Sequence, residues 1–364
     1  MYKSAQAPAS NNKPRSGCQN AFVRADAIRH SFPQAVRALG GDPNKLLATE
    51  GINPAALNDP DALLLYRTMI NLLERTAVEL SCPDFGLRMA ECTGDALTVL
   101  GPLGVAMKNA GSLRDALSYC AKYLHVYSEA IHISLERDEW NGRDYMLFDI
   151  LLDGVPRQRQ VVEHALGLAH NAIRVLSCRK SQPTEIWITH GAPASLKHYA
   201  EFFSTTVKFG MPYNAIYFSK DSLTQPIVNR DTQIFQMAES FIDLRFPVSA
   251  VPLSRQVRVI VNKLLVGDRC NQTTVASMLG MHPRTLQRGL RAEGTTFVEI
   301  IDVVRREIAM RSLTDKSVSL TQIAERLGYS ETSVLTRSCQ RWFSRSPRQL
   351  RNEMRSEPMA VLYS

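Results

Sequence analysis

VASMLGM at residues 275–281 and IAERLGY at residues 323–329 are two copies of one short pattern, 48 positions apart. Each copy follows an N-cap residue, Asn271 or Ser319, whose side chain can accept a hydrogen bond from a free backbone N–H. Each ends in Leu-Gly, where glycine allows the left-handed backbone of a tight turn, and each precedes another helix. The repeat predicts two helix-turn-helix units, over residues 271–291 and 319–341.

The segment between the two copies, TFVEIIDVVRREIAMRSL at 296–313, has the period of an amphipathic helix. Thr296 and Glu299 are spaced as a capping box at its start. Eighteen residues at about 1.5 Å each span roughly 27 Å, enough to hold two reading helices about one DNA turn apart. We therefore expect one stiff connecting helix, with an apolar face made of Phe297, Ile301, Val304 and Ile308.

Positive charge is concentrated in the same part of the chain. Residues 251–364 hold 18 Lys and Arg against 10 Asp and Glu, whereas the first 250 residues hold 25 of each sign. Sixteen of those eighteen cations are Arg. A neutral larger part joined to a basic smaller part is typical of a chain with a separate module that binds polyanions.

The first 247 residues combine helical and strand patterns, which indicates an α+β unit. Strand alternation over IHISLE (131–136) and YMLFDIL (145–151) brackets Asn141-Gly142, a hairpin turn signal. Further strands are predicted at 185–189 and 215–219. Helices are predicted from Asp61 to Leu80, after the N-cap Ser112, from Arg157 to Leu176, and from Asn229 to Phe246.

Pro247 and the small residues after it mark a domain boundary. The predicted organisation is a flexible tail (1–20), a first domain (21–247), a linker (248–253), a basic domain (254–352) and a second tail (353–364). No long apolar stretch predicts a membrane span or a secretory signal, and the seven cysteines include no C-x-x-C pair. We expect a soluble protein of the reducing cytoplasm, with no structural zinc, no other metal and no cofactor.

The run IAERLGYSETSVLTRSCQRWFSRSPRQLR (323–351) resembles the signature of the AraC/XylS family of bacterial transcription regulators, and VASMLGMHPRTLQRGLRAEGTTF (275–297) resembles its upstream half. The sequence departs from that pattern at Leu335, Cys339, Ser344 and His282. Residues 40–62 and 112–124 resemble the arabinose-binding-like sensor domain of some members. The matching positions of the signature are Ile323, Ala324, Gly328, Tyr329, Ser333, Arg337, Pro347 and Arg351.

The reading helices offer side chains suited to DNA. In the first, Leu286 and Leu290 must face the core, which leaves Arg284, Gln287, Arg288 and Arg291 on or near the free face. Arg pairs bidentately with guanine and Gln with adenine, and the resemblance points to positions 284, 287 and 288 as well. In the second, with Ser330 as N-cap, the outward residues are smaller and favour phosphate contact: Thr332, Ser333, Thr336 and Arg337. Candidate phosphate anchors are Arg341, Arg345, Arg348 and Arg351.

The sequence identifies ligand-contacting residues of the first domain less clearly than the DNA-binding residues. The candidates are Tyr123, His125, Glu163 and His170, together with His132 and His164. Glu163 and His170 are seven positions apart and would share a helix face, so they could meet in a pocket. The series Tyr119, Tyr123 and Tyr127 has helical spacing that also fits core packing.

These observations predict an N-terminal α+β sensor domain followed by an all-α DNA-binding domain with two helix-turn-helix motifs joined by a linker helix. The resemblance implies a one-component regulator that senses a small metabolite and activates a nearby catabolic or biosynthetic operon, by contacting RNA polymerase at promoter DNA. Dimerisation of the chain through the first domain is plausible.

The sequence carries none of the usual motifs for an enzyme, such as G-x-S-x-G or H-E-x-x-H, so no catalytic residue is predicted. Two alternatives stay open. One is a redox-responsive regulator that uses Cys82 and Cys92, or Cys120. The other is a DNA-repair enzyme fused to this DNA-binding domain, which would need an activated cysteine.

Overall fold

The computed structural model of the chain describes residues 21–59, 62–128, 130–138, 142–150, 152, 158–191, 195–211, 213–245, 252–265, 270–314 and 318–356. The predicted tail at 1–20 and the linker residues 248–251 lie outside these ranges, as does Pro247. So do the last eight residues of the chain. No helix within the described ranges is long and apolar enough to cross a membrane.

The first lobe of the structure is helical, with one short ribbon. Strands β1 (Phe22–Arg24) and β2 (Leu63–Leu65) pair antiparallel, with Val23 opposite Leu64. The helix predicted from Asp61 begins later, at Tyr66, because the leucines before it pair with β1 in extended conformation. The helices of this lobe are α1 (Ser31–Ala38), α2 (Pro43–Thr49), α3 (Tyr66–Glu79) and α4 (Phe85–Cys92).

A five-stranded sheet follows, in the order β3-β4-β7-β5-β6. The hairpin prediction is confirmed: Ile131 pairs with Ile150 and Arg137 with Asp144, and Gly142 has a positive φ of 66° beside the turn. No pattern in the sequence predicts β6, because its three residues are too few to show a period. The strands are β3 (Ile131–Arg137), β4 (Asp144–Ile150), β5 (Glu185–Trp187), β6 (Thr206–Lys208) and β7 (Asn214–Tyr217).

Helices pack against this sheet and join it to the first lobe. The long helix α7 packs against both α3 and α4, so it lies between the lobe and the sheet. Its buried side chains contribute to both apolar clusters of this half, Val161 to one and Val162 to the other. The helices are α5 (Gly101–Lys108), α6 (Leu113–Tyr123), α7 (Arg159–Leu176), α8 (Lys197–Phe203) and α9 (Thr232–Arg245).

Beyond residue 252 the described structure is entirely helical, which confirms the predicted fold class. One apolar cluster, which includes Val257, Leu286, Val304 and Leu335, holds these helices together. The connecting helix is continuous over Phe297–Thr314, as its period predicted. The helices are α10 (Leu253–Leu264), α11 (Gln272–Met278), α12 (Pro283–Ala292), α13 (Phe297–Thr314), α14 (Leu320–Arg326), α15 (Thr332–Phe343) and α16 (Pro347–Ser356).

Candidate functional site

The first helix-turn-helix unit consists of α11, a tight turn and α12. Asn271 caps α11, because its Oδ1 accepts a hydrogen bond from Thr274 N at 2.9 Å. The turn is closed by Met281 N, which donates to the carbonyl oxygen of Ala276 at 2.9 Å. His282 caps α12 through Nδ1, which accepts from Arg284 N at 3.3 Å. The N-cap acceptor of α12 is therefore an imidazole nitrogen, whereas Ser, Thr, Asp and Asn, which accept through oxygen, are the common N-cap residues.

The two faces of α12 differ sharply in exposure. Leu286 and Leu290 are fully buried in the cluster beneath the helix. The other side of the helix carries four exposed polar side chains, which span two turns: Arg284, Gln287, Arg288 and Arg291. This places guanidinium and amide groups along one free surface, which matches the expectation from helical spacing.

The second unit consists of α14, a turn and α15, and it has a complete capping box at its start. Gln322 N donates to Ser319 Oγ at 3.1 Å, and Ser319 N donates to Gln322 Oε1 at 2.8 Å. The predicted N-cap of α15 was wrong by one residue: Glu331, not Ser330, holds this position and makes no side-chain cap. The Glu331 carboxylate instead accepts from Ser333 Oγ at 2.8 Å, so the helix begins at Thr332.

The outward face of α15 carries three hydroxyl groups, and those of Ser333 and Thr336 have partners within the chain. Thr332, Ser333, Thr336 and Arg337 are all exposed. Thr336 Oγ1 donates to the carbonyl oxygen of Thr332 at 3.1 Å, and Ser333 is held by Glu331. The face of α12 carries three arginines, whereas α15 carries Arg337 and, one turn later, Arg341, and its other outward side chains are shorter than those of α12.

Two departures from the family pattern, Leu335 and Cys339, fill the core beneath α15. Both side chains are fully buried. Burial raises the pKa of the Cys339 thiol to about 11, so it stays protonated at neutral pH. The polar members of this core pair with each other, since the Tyr329 and Ser338 hydroxyls lie 3.0 Å apart.

The candidate phosphate anchors differ in their surroundings. Arg341 forms an ion pair with Asp302 of α13, and Trp342 Nε1 donates to the same carboxylate at 2.9 Å. Arg351 is half-buried and donates to the carbonyl oxygen of Val318, so its guanidinium connects α16 to the residues just before α14. Arg348 is exposed on α16. Arg345 is exposed too, with a long contact of 3.5 Å to the carbonyl oxygen of Phe343.

In the first domain the tyrosine series packs into the core. Tyr119 and Tyr123 are buried and their rings lie 4.7 Å apart, with Tyr127 packed against the same cluster. Tyr123 OH donates to Asp243 Oδ1 of α9 at 2.6 Å, which ties α6 to α9. His125 stacks on Tyr123 at 6.5 Å between ring centres, so the structure brings these two candidates together.

Glu163 and His170 are both buried on α7 and both face α8, but they contact different residues there. Glu163 Oε1 accepts from Arg159 Nε at 2.9 Å and from Tyr199 OH at 2.8 Å. His170 packs against the rings of Phe202 and Phe203. Burial, with a smaller effect of Arg174, lowers the pKa of His170 to about 4, so the ring is neutral at physiological pH.

The sequence did not point to the residues that surround Glu163. Tyr199 and His190 lie 36 and 27 positions further along the chain, and no local period connects them to α7. Arg159 is one turn before Glu163, so its i, i+4 spacing was the only available signal. His132 lies on the edge strand β3, and His164 is buried beside Glu163.

The thiols of the redox alternative are poorly suited to oxidation. Burial raises the pKa of Cys82 to about 11 and that of Cys120 to about 12, and the pKa of Cys92 also lies above its usual value. The thiolate is the reactive form of cysteine, so these environments suppress it. Within the described ranges, no three or more His, Cys, Asp and Glu side chains come together in a group that could hold a metal ion.

The start of α10 joins the two halves of the chain. Arg255 Nη2 donates to the carbonyl oxygen of Ile131, on the edge strand β3, at 2.7 Å. The same first turn is capped by Glu293, which follows α12: Leu253 N and Ser254 N donate to its carboxylate at 2.6 and 2.8 Å. One turn of helix therefore contacts both the sheet and the end of the first reading helix.

Comparison with known proteins gives consistent matches. The profile described as "Arabinose-binding domain of AraC transcription regulator, N-term" matches residues 40–227, and that described as "Helix-turn-helix domain" matches residues 275–353. The HTH-type transcriptional regulator VirS of Mycobacterium tuberculosis is 33% identical over 320 residues, covering 88% of this chain and 94% of VirS. The ornithine utilization regulator of Pseudomonas aeruginosa is 23% identical over 327 residues, covering 88% and 94%. A crystal structure of the transcriptional regulator CdpR from Pseudomonas aeruginosa aligns with 23% identity and a TM-score of 0.40, over 87% of this chain and 97% of that one.

Proposed function

Because the chain belongs to the AraC family of transcription regulators, we propose that it is a metabolite-responsive activator that binds one promoter sequence in preference to others. In this proposal, residues 21–247 bind the metabolite, and residues 254–352 bind promoter DNA near a catabolic or biosynthetic operon. The exposed Arg and Gln face of α12, opposite its buried leucines, is the observation that carries the proposal.

The first unit supplies the base readout. Arg284 and Arg288 pair with guanine edges and Gln287 with an adenine edge in the major groove, while Arg291 extends the same basic face. Their exposure on one side of a helix that is anchored by Leu286 supports this assignment.

The second unit supplies weaker discrimination. Its hydroxyl groups at Thr332, Ser333 and Thr336 suit phosphate oxygens, and Arg337 adds a guanidinium beside them. Arg341 and Arg348 are assigned to the DNA backbone, where they fix the position of the protein without reading sequence. Arg341 would have to share its charge with Asp302.

The test is a comparison of Arg288→Ala with Arg348→Ala on a selected site and on a scrambled duplex, by fluorescence anisotropy over a salt series. Arg288→Ala should lose about 1 to 3 kcal/mol on the selected site alone. Arg348→Ala should weaken both duplexes alike and reduce the salt slope by about one. Equal losses on both duplexes for Arg288→Ala would contradict its role in base readout.

Effector binding changes DNA affinity only if the effector prefers one arrangement of the two domains. The first turn of α10 is where such a preference would be transmitted, because Arg255 contacts β3 and Glu293 connects the same turn to the end of α12. We expect Arg255→Met to leave DNA binding intact and to reduce its response to effector, in the same anisotropy assay. An unaltered response would place the coupling elsewhere.

The partner of the first domain is a second copy of this chain, through one face of α9. Ile234, Met237, Phe241 and Leu244 follow the 3-4-3 spacing of a helix-pairing seam, and all are exposed, Leu244 by 85%. Gln233 and Ser240 flank one edge of the face and carry no charge, and an antiparallel pair about a two-fold axis places the two copies of Arg245 at opposite ends of the seam. Dimerisation would present two DNA-binding domains to repeated half-sites.

Sedimentation velocity of the full chain tests this partner. Met237→Glu and Leu244→Glu should convert a dimer to a monomer, because each buries a carboxylate in the apolar seam. Leu196→Glu is the matched control, since Leu196 is also exposed but lies outside α9. A monomeric parent chain, or dimers in all variants, would refute the assignment.

Activation through RNA polymerase is favoured by the family resemblance. In vitro transcription from a promoter that carries the selected site should rise when the chain and its effector are added. A fall in transcript under the same conditions would identify a repressor.

A further inference from the structure

Buried polar atoms without a hydrogen-bond partner accumulate on α7. Among the described residues, Glu163 Oε2, His164 Nε2 and both ring nitrogens of His170 are buried and unpaired. Each such atom carries a desolvation penalty of about 1 to 3 kcal/mol, so native proteins keep few of them. Four on one helix indicate that something else satisfies at least part of this row.

Glu163 is the acidic residue among them, it forms an ion pair with Arg159, and its two oxygens differ. The side chain is completely buried. Oε1 accepts from Arg159 and Tyr199, and His190 Nε2 lies 3.1 Å from it. Oε2 has no described partner. An ionised carboxylate oxygen can only accept hydrogen bonds, so the missing partner must be a donor.

The local charge favours a cation as that donor. Glu74 lies close enough for the negative charge of Glu163 to raise its pKa, although burial of Glu74 is the larger cause. The guanidinium of Arg159 pairs with Glu163 and also acts on Glu74, whose pKa it lowers less than burial raises it. His164 and His170 do not oppose a second cation, because burial lowers the pKa of each to about 4 and keeps the rings neutral.

Arg159 and His190 also define where a ligand would enter. Their side chains are 27% and 17% exposed, so they lie between Glu163 and solvent. The ring of Phe209 packs against both His190 and Tyr199, which gives this entrance an apolar wall. The surroundings suit a short alkyl chain that ends in a charged nitrogen.

We infer that Glu163 binds a protonated primary amine of the effector through Oε2, with Arg159 and His190 at the entrance of the site. The inference rests on the proposed sensor function and specifies its ligand class. On binding, the unpaired Oε2 would accept a charge-assisted hydrogen bond. Such a bond is stronger than one from a neutral donor, so the site favours an amine over a hydroxyl of the same shape.

The experiment is a thermal-shift titration of the full chain with two matched pairs of probes. Putrescine is compared with 1,4-butanediol, and n-butylamine with 1-butanol, so that the members of each pair differ only by amine against hydroxyl. We expect at least one amine to raise Tm in a saturable manner, and its uncharged counterpart to bind about 10- to 100-fold more weakly or not at all. Equal shifts from both members of a pair would overturn the inference.

The variant Glu163→Gln tests the residue itself, because it keeps the shape and removes the charge. It should weaken the amine response about 10- to 100-fold, with the far-UV circular dichroism unchanged. Glu201→Gln is the control, since it makes the same change at an exposed position of α8 and should leave the amine response unchanged. If Glu163→Gln does not fold, the matched probes on the parent chain decide the matter alone.

The two levels of the proposal fail differently. If neither amine shifts Tm but anionic or neutral metabolites do, the ligand class is wrong and the sensor function stands. If no metabolite of any charge shifts Tm or alters DNA affinity, both the ligand class and the sensor function are overturned.

Discussion

Two glycines at equivalent turn positions, Gly280 and Gly328, give a matched test of the helix-turn-helix geometry. Both have left-handed backbone conformations, with φ of +65° and +67°. A Cβ atom added to Gly280 would meet no described atom within 4 Å, whereas one added to Gly328 would lie 2.8 Å from the carbonyl oxygen of Leu265 at the end of α10. The same substitution to alanine therefore meets backbone at one site and open space at the other.

The expected costs follow from these two environments. A non-glycine residue in the left-handed region costs about 1 to 2 kcal/mol, and this applies to both variants. Gly328→Ala must also displace a backbone carbonyl within a packed core, which adds about 1 to 3 kcal/mol. We predict that Gly280→Ala destabilises its unit by about 1 kcal/mol and Gly328→Ala by about 3 kcal/mol.

Native-state hydrogen exchange is the appropriate assay, because it reports each unit separately in a chain with more than one domain. A difference of about 2 kcal/mol corresponds to roughly 30-fold faster exchange in α14 and α15 of Gly328→Ala than in α11 and α12 of Gly280→Ala, each relative to the parent chain. Equal acceleration in the two variants would show that the close approach of Gly328 to Leu265 does not constrain the turn.

Three further outcomes follow from individual contacts. Burial would lower the pKa of His198, but its hydrogen bonds to Glu91 and Asp84 outweigh this and raise it. The parent chain should therefore exceed His198→Gln in Tm below pH of about 6.5, and lose that advantage as the pH rises through the raised pKa; a constant difference across pH would contradict this. Glu293→Ala should accelerate exchange in the first turn of α10 about 5-fold, for a lost cap of about 1 kcal/mol, and unchanged exchange would mean that water replaces the cap. In the native chain iodoacetamide should alkylate the exposed Cys178 before the buried Cys120, as measured by mass spectrometry, and the reverse order would revive a redox role for Cys120.

The parts of the fold that the sequence predicted are those set by local periods and end signals. The copies of the Leu-Gly motif, the caps at Asn271 and Ser319 and the continuous connecting helix are all present in the structure. Each depends on residues within a few positions of one another, so the sequence displays it directly.

Errors arose where a distant segment decided the local conformation. The leucines at 63–65 have helical apolar spacing, yet they are extended because β1, some forty residues earlier, pairs with them. A second error is smaller: the N-cap of α15 is Glu331 and not the predicted Ser330, and cap signals alone do not resolve a difference of one residue.

Caps, glycines and charge are local properties, so two helix-turn-helix units on a basic, arginine-rich domain can be predicted from the sequence alone. Packing, in contrast, sets which polar groups of α7 lack a partner and brings Arg255 of α10 to the edge of the sheet. Tyr199 and His190 approach Glu163 from α8 and from the segment after β5, and only packing brings such distant residues together. The physical reason is that burial and pairing depend on neighbours in space, whereas periodicity reports neighbours in sequence.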